Sequence, residues 1–135
     1  MLLVCIWLNF FSTLAIFPVY QLGIRRASES FFISDYWYQD VLTFLTFNVC
    51  VTLGNMLPRF VKKPGPKWIP VPVIARAILC FVFFAFCNFQ PDKRLDSAIP
   101  ILIKNDYLYW AACIISPLTF GYFTSLMMMY TPKYV

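Results

Sequence analysis

The sequence contains no histidine, and so lacks the side chain that most often serves as general base and metal ligand near neutral pH. Its five cysteines, Cys5, Cys50, Cys80, Cys87 and Cys113, all fall in apolar stretches without a Cys-x-x-Cys pair. That is the pattern of small buried hydrophobes rather than of a redox or metal site. Acids are scarce: Glu29, Asp35, Asp40, Asp92, Asp96 and Asp106 sit in connecting segments or at the borders of apolar runs, with no carboxylate pair placed for acid–base work. An enzyme is therefore not expected, nor a cofactor or a metal. Charged residues make up only 13% of the chain, against about 25% in soluble domains. A soluble globule this small could not hide the remaining apolar surface, because much of its surface would stay in water.

What is present in quantity is hydrocarbon: 61% of the residues are hydrophobic and 20% aromatic. They gather in four blocks, 2–20, 36–57, 72–89 and 107–130, each near the roughly 20 residues that carry a helix across a bilayer. The blocks are continuously apolar, whereas barrel strands are short and alternate. The first block could also be read as a secretory leader, but no base precedes it and it is long for that purpose. The expected fold class is an all-α integral membrane protein with about four transmembrane helices. Tyr36, Trp37 and Tyr38, together with Tyr107, Tyr109 and Trp110, are expected as interfacial aromatics on one surface and Trp68 on the other.

The connector 58–70 carries Arg59, Lys62, Lys63 and Lys67 without an acid, and Lys133 falls on the same side. The opposite side holds Arg25, Arg26, Lys93, Arg94 and Lys104 with all the acids. Basic residues alone come close to a tie; the compact all-basic connector favours the cytosol for that loop. Lys63-Pro64-Gly65-Pro66-Lys67 reads as a stiff turn. Gln90-Pro91-Asp92-Lys93-Arg94 opens the other loop, with 99–103 expected along the interface. The net charge of +5 follows from such topology, and no nucleic-acid partner is expected.

Polar residues inside the blocks are few and patterned. Asn48, Thr52 and Asn55 recur at i, i+4 and i+7 with Val51 beside them, Asn9, Ser12 and Thr13 form a second patch, and Gly121, Thr124 and Ser125 follow Pro117 by one turn. These faces must avoid lipid. They either pack helix on helix, where small and hydroxylated residues approach closely, or line a polar pathway. Arg76 is the only basic residue inside a block; at membrane depth a guanidinium costs about 2.5 kcal/mol or more unless it snorkels or is paired.

The segment Phe47-Asn48-Val49-Cys50-Val51-Thr52-Leu53-Gly54-Asn55 resembles the Phe-Asn-x-x-Asp-x-x-Gly-Arg signature in the eighth helix of equilibrative nucleoside transporters. Asn9-Phe10-Phe11-Ser12-Thr13-Leu14 through Ile16-Phe17-Pro18 is similar to the seventh helix, and Arg76 to an arginine of the ninth. Pro100-Ile101-Leu102 with Asn105-Asp106 resembles the loop before the tenth helix, and Gly121-Tyr122-Phe123-Thr124-Ser125-Leu126 with Thr131-Pro132-Lys133 resembles that helix and its cytosolic end. The resemblance implies a partial transmembrane domain, 1–135, of a major-facilitator-like bundle moving nucleosides down their gradient by alternating access. Val51 and Asn55 stand where the signature has its aspartate and arginine; both charges are lost together, so neither is left unpaired. The expected pathway residues are Ser12, Asn48, Val51, Thr52, Asn55, Tyr122 and Ser125, with Gly54, Arg76 and Gly121 in structural or gating roles. The implied partners are lipid, a nucleoside, and the remaining transporter helices or other membrane subunits. The expected location is multi-pass, in the plasma membrane ahead of an intracellular one. A small four-helix assembly or scaffold subunit, or a non-transporting relative, is the alternative.

Overall fold

Each apolar block becomes helical in the computed structural model, which describes residues 1–24, 29–87, 102–103 and 105–133. The basic residues Arg25, Arg26, Lys93, Arg94 and Lys104, the segment 90–94 and most of 99–103 lie outside the described residues.

Helix α1 (Leu2–Ile16) ends at Phe17, which is extended, with φ −101° and ψ 136°. The cause is Pro18, since a proline turns its predecessor away from helical geometry. A single turn, α2 (Val19–Leu22), follows. Next, α3 (Asp35–Gln39) runs through a π-helical stretch, Asp40–Leu45, into α4 (Thr46–Met56) and a 3-10 turn, Leu57–Arg59. The wider turn suits Thr46, whose hydroxyl donates to the Val41 carbonyl five residues back at 2.8 Å. Helix α5 (Pro70–Ala85) opens on Pro70, placed where the missing N–H would have had no helical acceptor anyway. Helix α6 (Asp106–Tyr130) is capped by Asn105, whose side-chain oxygen accepts the Tyr107 N–H at 3.0 Å.

Three helical segments, Leu2–Leu22, Asp35–Arg59 and Asp106–Tyr130, are long and apolar enough to cross a membrane. Helix α5 has 16 residues, about 24 Å of helix. It stops short of the expected 72–89, and residues 88 and 89 lie outside the described residues.

Helix α6 is central: α4 packs along it most extensively, α1 packs against both α5 and α6, and α5 touches α6 least. Two apolar cores lie at opposite ends. Cys5, Ile69, Val73, Leu126 and Met127 fill the connector end. Ile24, Phe31, Leu42, Phe84 and Cys113 are among those that fill the other. The outer faces of α1 (Leu3, Trp7, Leu14) and α5 (Ile78, Leu79, Val82) are exposed, as apolar surface is when it meets lipid or another membrane helix.

Two of the expected interfacial aromatics are corrected. Tyr38 and Tyr109 are 3% and 4% exposed and belong to the core. Burial of Tyr38 is tolerable because its hydroxyl donates to Asp106 Oδ1 at 3.1 Å, so the phenol keeps a partner. Tyr36, Trp37, Tyr107 and Trp68 are exposed.

Candidate functional site

The crossing of α4 and α6 decides what can lie where. A Cβ at Gly54 would overlap the Leu118 carbonyl, and one at Gly121 would overlap the Val51 carbonyl. Neither position can carry a side chain while the two backbones touch, which is how small residues bring membrane helices into contact. No solute passes between α4 and α6. The open faces of the pair are what remains.

One such face is the polar strip of α4. Asn48, Thr52 and Asn55 are all exposed. Asn48 donates its Nδ2–H to the Phe44 carbonyl at 2.8 Å, and Thr52 donates its hydroxyl to the Asn48 carbonyl at 2.8 Å. Both side chains are satisfied within their own helix and hold nothing else in place. Asn55 is tied across to α6: Ser125 Oγ donates to Asn55 Oδ1 at 2.9 Å. Val51, where the signature has its aspartate, is half-buried against α6.

The other expected pathway residues lie elsewhere. Ser12 is buried and donates to the Asn9 carbonyl at 3.1 Å. Tyr122 is half-buried, and its hydroxyl donates to the carbonyls of Val61, at 3.1 Å, and Lys63. Tyr130 donates in the same way to the Lys62 carbonyl at 2.9 Å. These two tyrosines strap the basic connector to the end of α6.

Arg76 occupies a second polar region, inside the bundle rather than on it. Only 7% exposed, it neither snorkels to a surface nor bonds a carboxylate of the described residues. Its Nε–H donates to Thr119 Oγ1 at 3.0 Å and its Nη1 to Asn9 Oδ1 at 3.0 Å. Nη2 donates to Thr13 Oγ1 at 3.1 Å and to the Ser116 carbonyl at 2.9 Å. The guanidinium carbon also stands 5.7 Å from the centre of the Phe120 ring, within cation–π range. Asn9, fully buried, completes the network by donating to Thr124 Oγ1 at 2.9 Å and to the Phe120 carbonyl at 3.4 Å. Pro117, inside α6, has no N–H for the Cys113 carbonyl four residues back, about one turn before the carbonyl that Arg76 reaches. Neutral oxygens from α1 and α6 thus replace the bulk solvent that the charge has lost.

Reading residues one helix at a time gives the Asn9 patch and Arg76 as separate features; the structure joins them directly and adds Ser116 and Thr119 of α6. The spacing of Asn9 to Thr13 and of Ser116 to Thr119 puts each pair on one helical face, and a buried arginine needs several acceptors. Those two facts together would have linked them.

A family model described as nucleoside transporter matches residues 1–135. The chain belongs to the nucleoside transporter family. Among its relatives, equilibrative nucleoside transporter 3 of Rattus norvegicus is 30% identical over 136 residues, covering 97% of this chain and 28% of the relative. Equilibrative nucleoside transporter 1 of Homo sapiens is 29% identical over 128 residues, covering 91% of this chain and 26% of the relative. Equilibrative nucleoside transporter 2 of Rattus norvegicus is 27% identical over 132 residues, covering 97% and 28%. The chain thus spans about a quarter of the length of the relatives it matches. No solved structure matches it significantly. Membership of this family and the apolar helices make the chain an integral membrane protein.

Proposed function

We propose that this chain is part of a facilitative nucleoside transporter of the plasma membrane, and that the exposed strip of α4 faces the substrate. Residues 1–135 supply a partial transmembrane domain, with α5 as its fourth span. The observation that carries the reading is Asn48, Thr52 and Asn55 standing exposed along one apolar helix of a chain matched throughout by the nucleoside transporter model. Polar side chains at membrane depth face a bundle interior or a water-filled cavity rather than lipid. Within this unit they have no such cover, so helices from the rest of the protein, or from other subunits, complete the cavity, as transport sites form between two halves.

A nucleoside joins an apolar ring to a hydroxyl-rich sugar, and a mostly apolar wall carrying a few hydrogen-bonding groups is the chemistry that holds it. Asn48 keeps its amide oxygen for a ligand while its N–H holds the helix, and Thr52 keeps its hydroxyl oxygen as an acceptor. Passage down a gradient by alternating access needs no titratable group in the wall, and the strip has none.

Uridine and adenosine uptake by cells expressing the complete coding sequence tests the proposal. Asn48→Ala is expected to reach the surface normally while raising KM by about fivefold, the effect of one lost hydrogen bond. Unchanged uptake kinetics in that variant would remove Asn48 from the pathway.

A further inference from the structure

Charge is segregated along this bundle. Asp35, Asp40 and Asp106 lie at the end where Tyr38 bonds Asp106, and no acid occurs at 41–91 or 107–135. At the opposite end Arg59, Lys62, Lys63 and Lys67 are all exposed, between two spans that hold no carboxylate. Hydrocarbon is interleaved with these cations: Phe60 is 81% exposed, Val61 50% and Trp68 70%. Water is a poor setting for three such side chains on one loop, and the acyl interior is a poor setting for the cations. The boundary between the two suits both. The segment is also held in place. Tyr122 donates to the carbonyls of Val61 and Lys63, and Tyr130 to that of Lys62 at 2.9 Å, so less freedom remains to be lost when the loop binds something.

We infer that the connector is a docking surface for anionic phospholipid of the leaflet it faces, with Arg59, Lys62, Lys63 and Lys67 holding headgroup phosphates while Phe60 and Trp68 seat among the upper acyl chains. A basic segment beside a span gains about fivefold in affinity for anionic lipid per cation, and aromatic rings settle at headgroup level. Topology alone asks only for the basic residues. A bound lipid also gives the exposed aromatics an apolar neighbour and uses the fixed placement of the loop. The inference is independent of which solute the protein carries.

The experiment uses the protein expressed from its complete coding sequence and purified in detergent. It is titrated with phosphatidylserine, with phosphatidylcholine, and with glycerophosphoserine, the anionic headgroup without its tails, and bound molecules are counted by native mass spectrometry. The wild-type protein is expected to retain phosphatidylserine at least about tenfold more tightly than phosphatidylcholine. Combining Lys62→Gln, Lys63→Gln and Lys67→Gln is expected to weaken phosphatidylserine about a hundredfold and to leave phosphatidylcholine unchanged, while the three Lys→Arg replacements keep the binding. Phe60→Ala with Trp68→Ala leaves every charge in place, and so carries the test even if the glutamine variant does not fold; a loss of about tenfold for phosphatidylserine is expected. Equal retention of the two lipids by the wild-type protein, or phosphatidylserine binding that a folded glutamine variant leaves intact, would overturn the inference. Glycerophosphoserine bound as tightly as the lipid, with the aromatic substitutions without effect, would overturn it in favour of a site for soluble anions.

Discussion

Two polar regions of this molecule use the same residue types to opposite ends. Around Arg76, asparagine and threonine side chains from α1 and α6 surround the guanidinium and bond one another, and leave Arg76 7% exposed at the edge of an apolar cleft between α5 and α6. Along α4, Asn48 and Thr52 spend theirs on carbonyls of their own helix, Asn55 accepts from Ser125 of α6, and all three remain exposed. Helix-local bonds cost a polar group none of its access, whereas bonds between helices convert it into a fastening. Depth in the membrane does not separate a structural polar residue from a functional one. Cover by neighbouring helices does: Ser12 and Thr13 also donate within their own helix, yet both are buried.

The comparison is broken first at the seam that holds α4 and α6 together. Gly121→Val places a branched side chain against the Val51 carbonyl, where even a Cβ does not fit, and surface expression is expected to fall close to zero, read by cell-surface labelling. Next is the region around Arg76. Arg76→Ala leaves Asn9 Oδ1 without its donor, and the expected loss is about 2–3 kcal/mol, measured by thermal unfolding in detergent. A double-mutant cycle with Asn9→Ala is expected to show a coupling of roughly 1 kcal/mol or more, with the KM of the protein that still folds unchanged. A KM shift without lost stability would move Arg76 from fastening to pathway. Smallest is Thr52→Val, which removes a hydroxyl bonded only to its own helix. Stability within about 0.5 kcal/mol of wild type and a roughly twofold rise in KM are expected, read by the same unfolding and uptake assays. Destabilisation as large as that of Arg76→Ala would mean that the strip is also a fastening.

The helices were legible because the solvent imposes them: every backbone group in hydrocarbon must be bonded within the chain, so long apolar runs such as 2–20 and 107–130 have few alternatives. The polar strip was legible too, since i, i+4, i+7 spacing fixes a shared face whatever surrounds it. What that spacing does not contain is the neighbour. Arg76 reads as either snorkelling or paired, because its acceptors come from α1 and α6, distant in sequence and unremarkable one by one. Tyr38 and Tyr109 looked interfacial by type and position, yet Asp106 gives Tyr38 a partner that makes burial tolerable. The π-helical stretch at Asp40–Leu45 leaves no mark in an apolar sequence. Arg59 was counted for its charge as part of a basic loop, and only the geometry places it beside Asn55 and Ser125.

The strap formed by Tyr122 and Tyr130 on the carbonyls of Val61, Lys62 and Lys63 bears on how the molecule can move. A loop between two spans is ordinarily the compliant part of a membrane protein, free to let its helices slide. Here the loop is riveted to a third helix that already touches the first backbone to backbone. Helix α4, the connector and α6 therefore behave as one stiff lever. Any rocking motion that opens one side of the membrane and closes the other must carry these three elements together and find its hinge outside them.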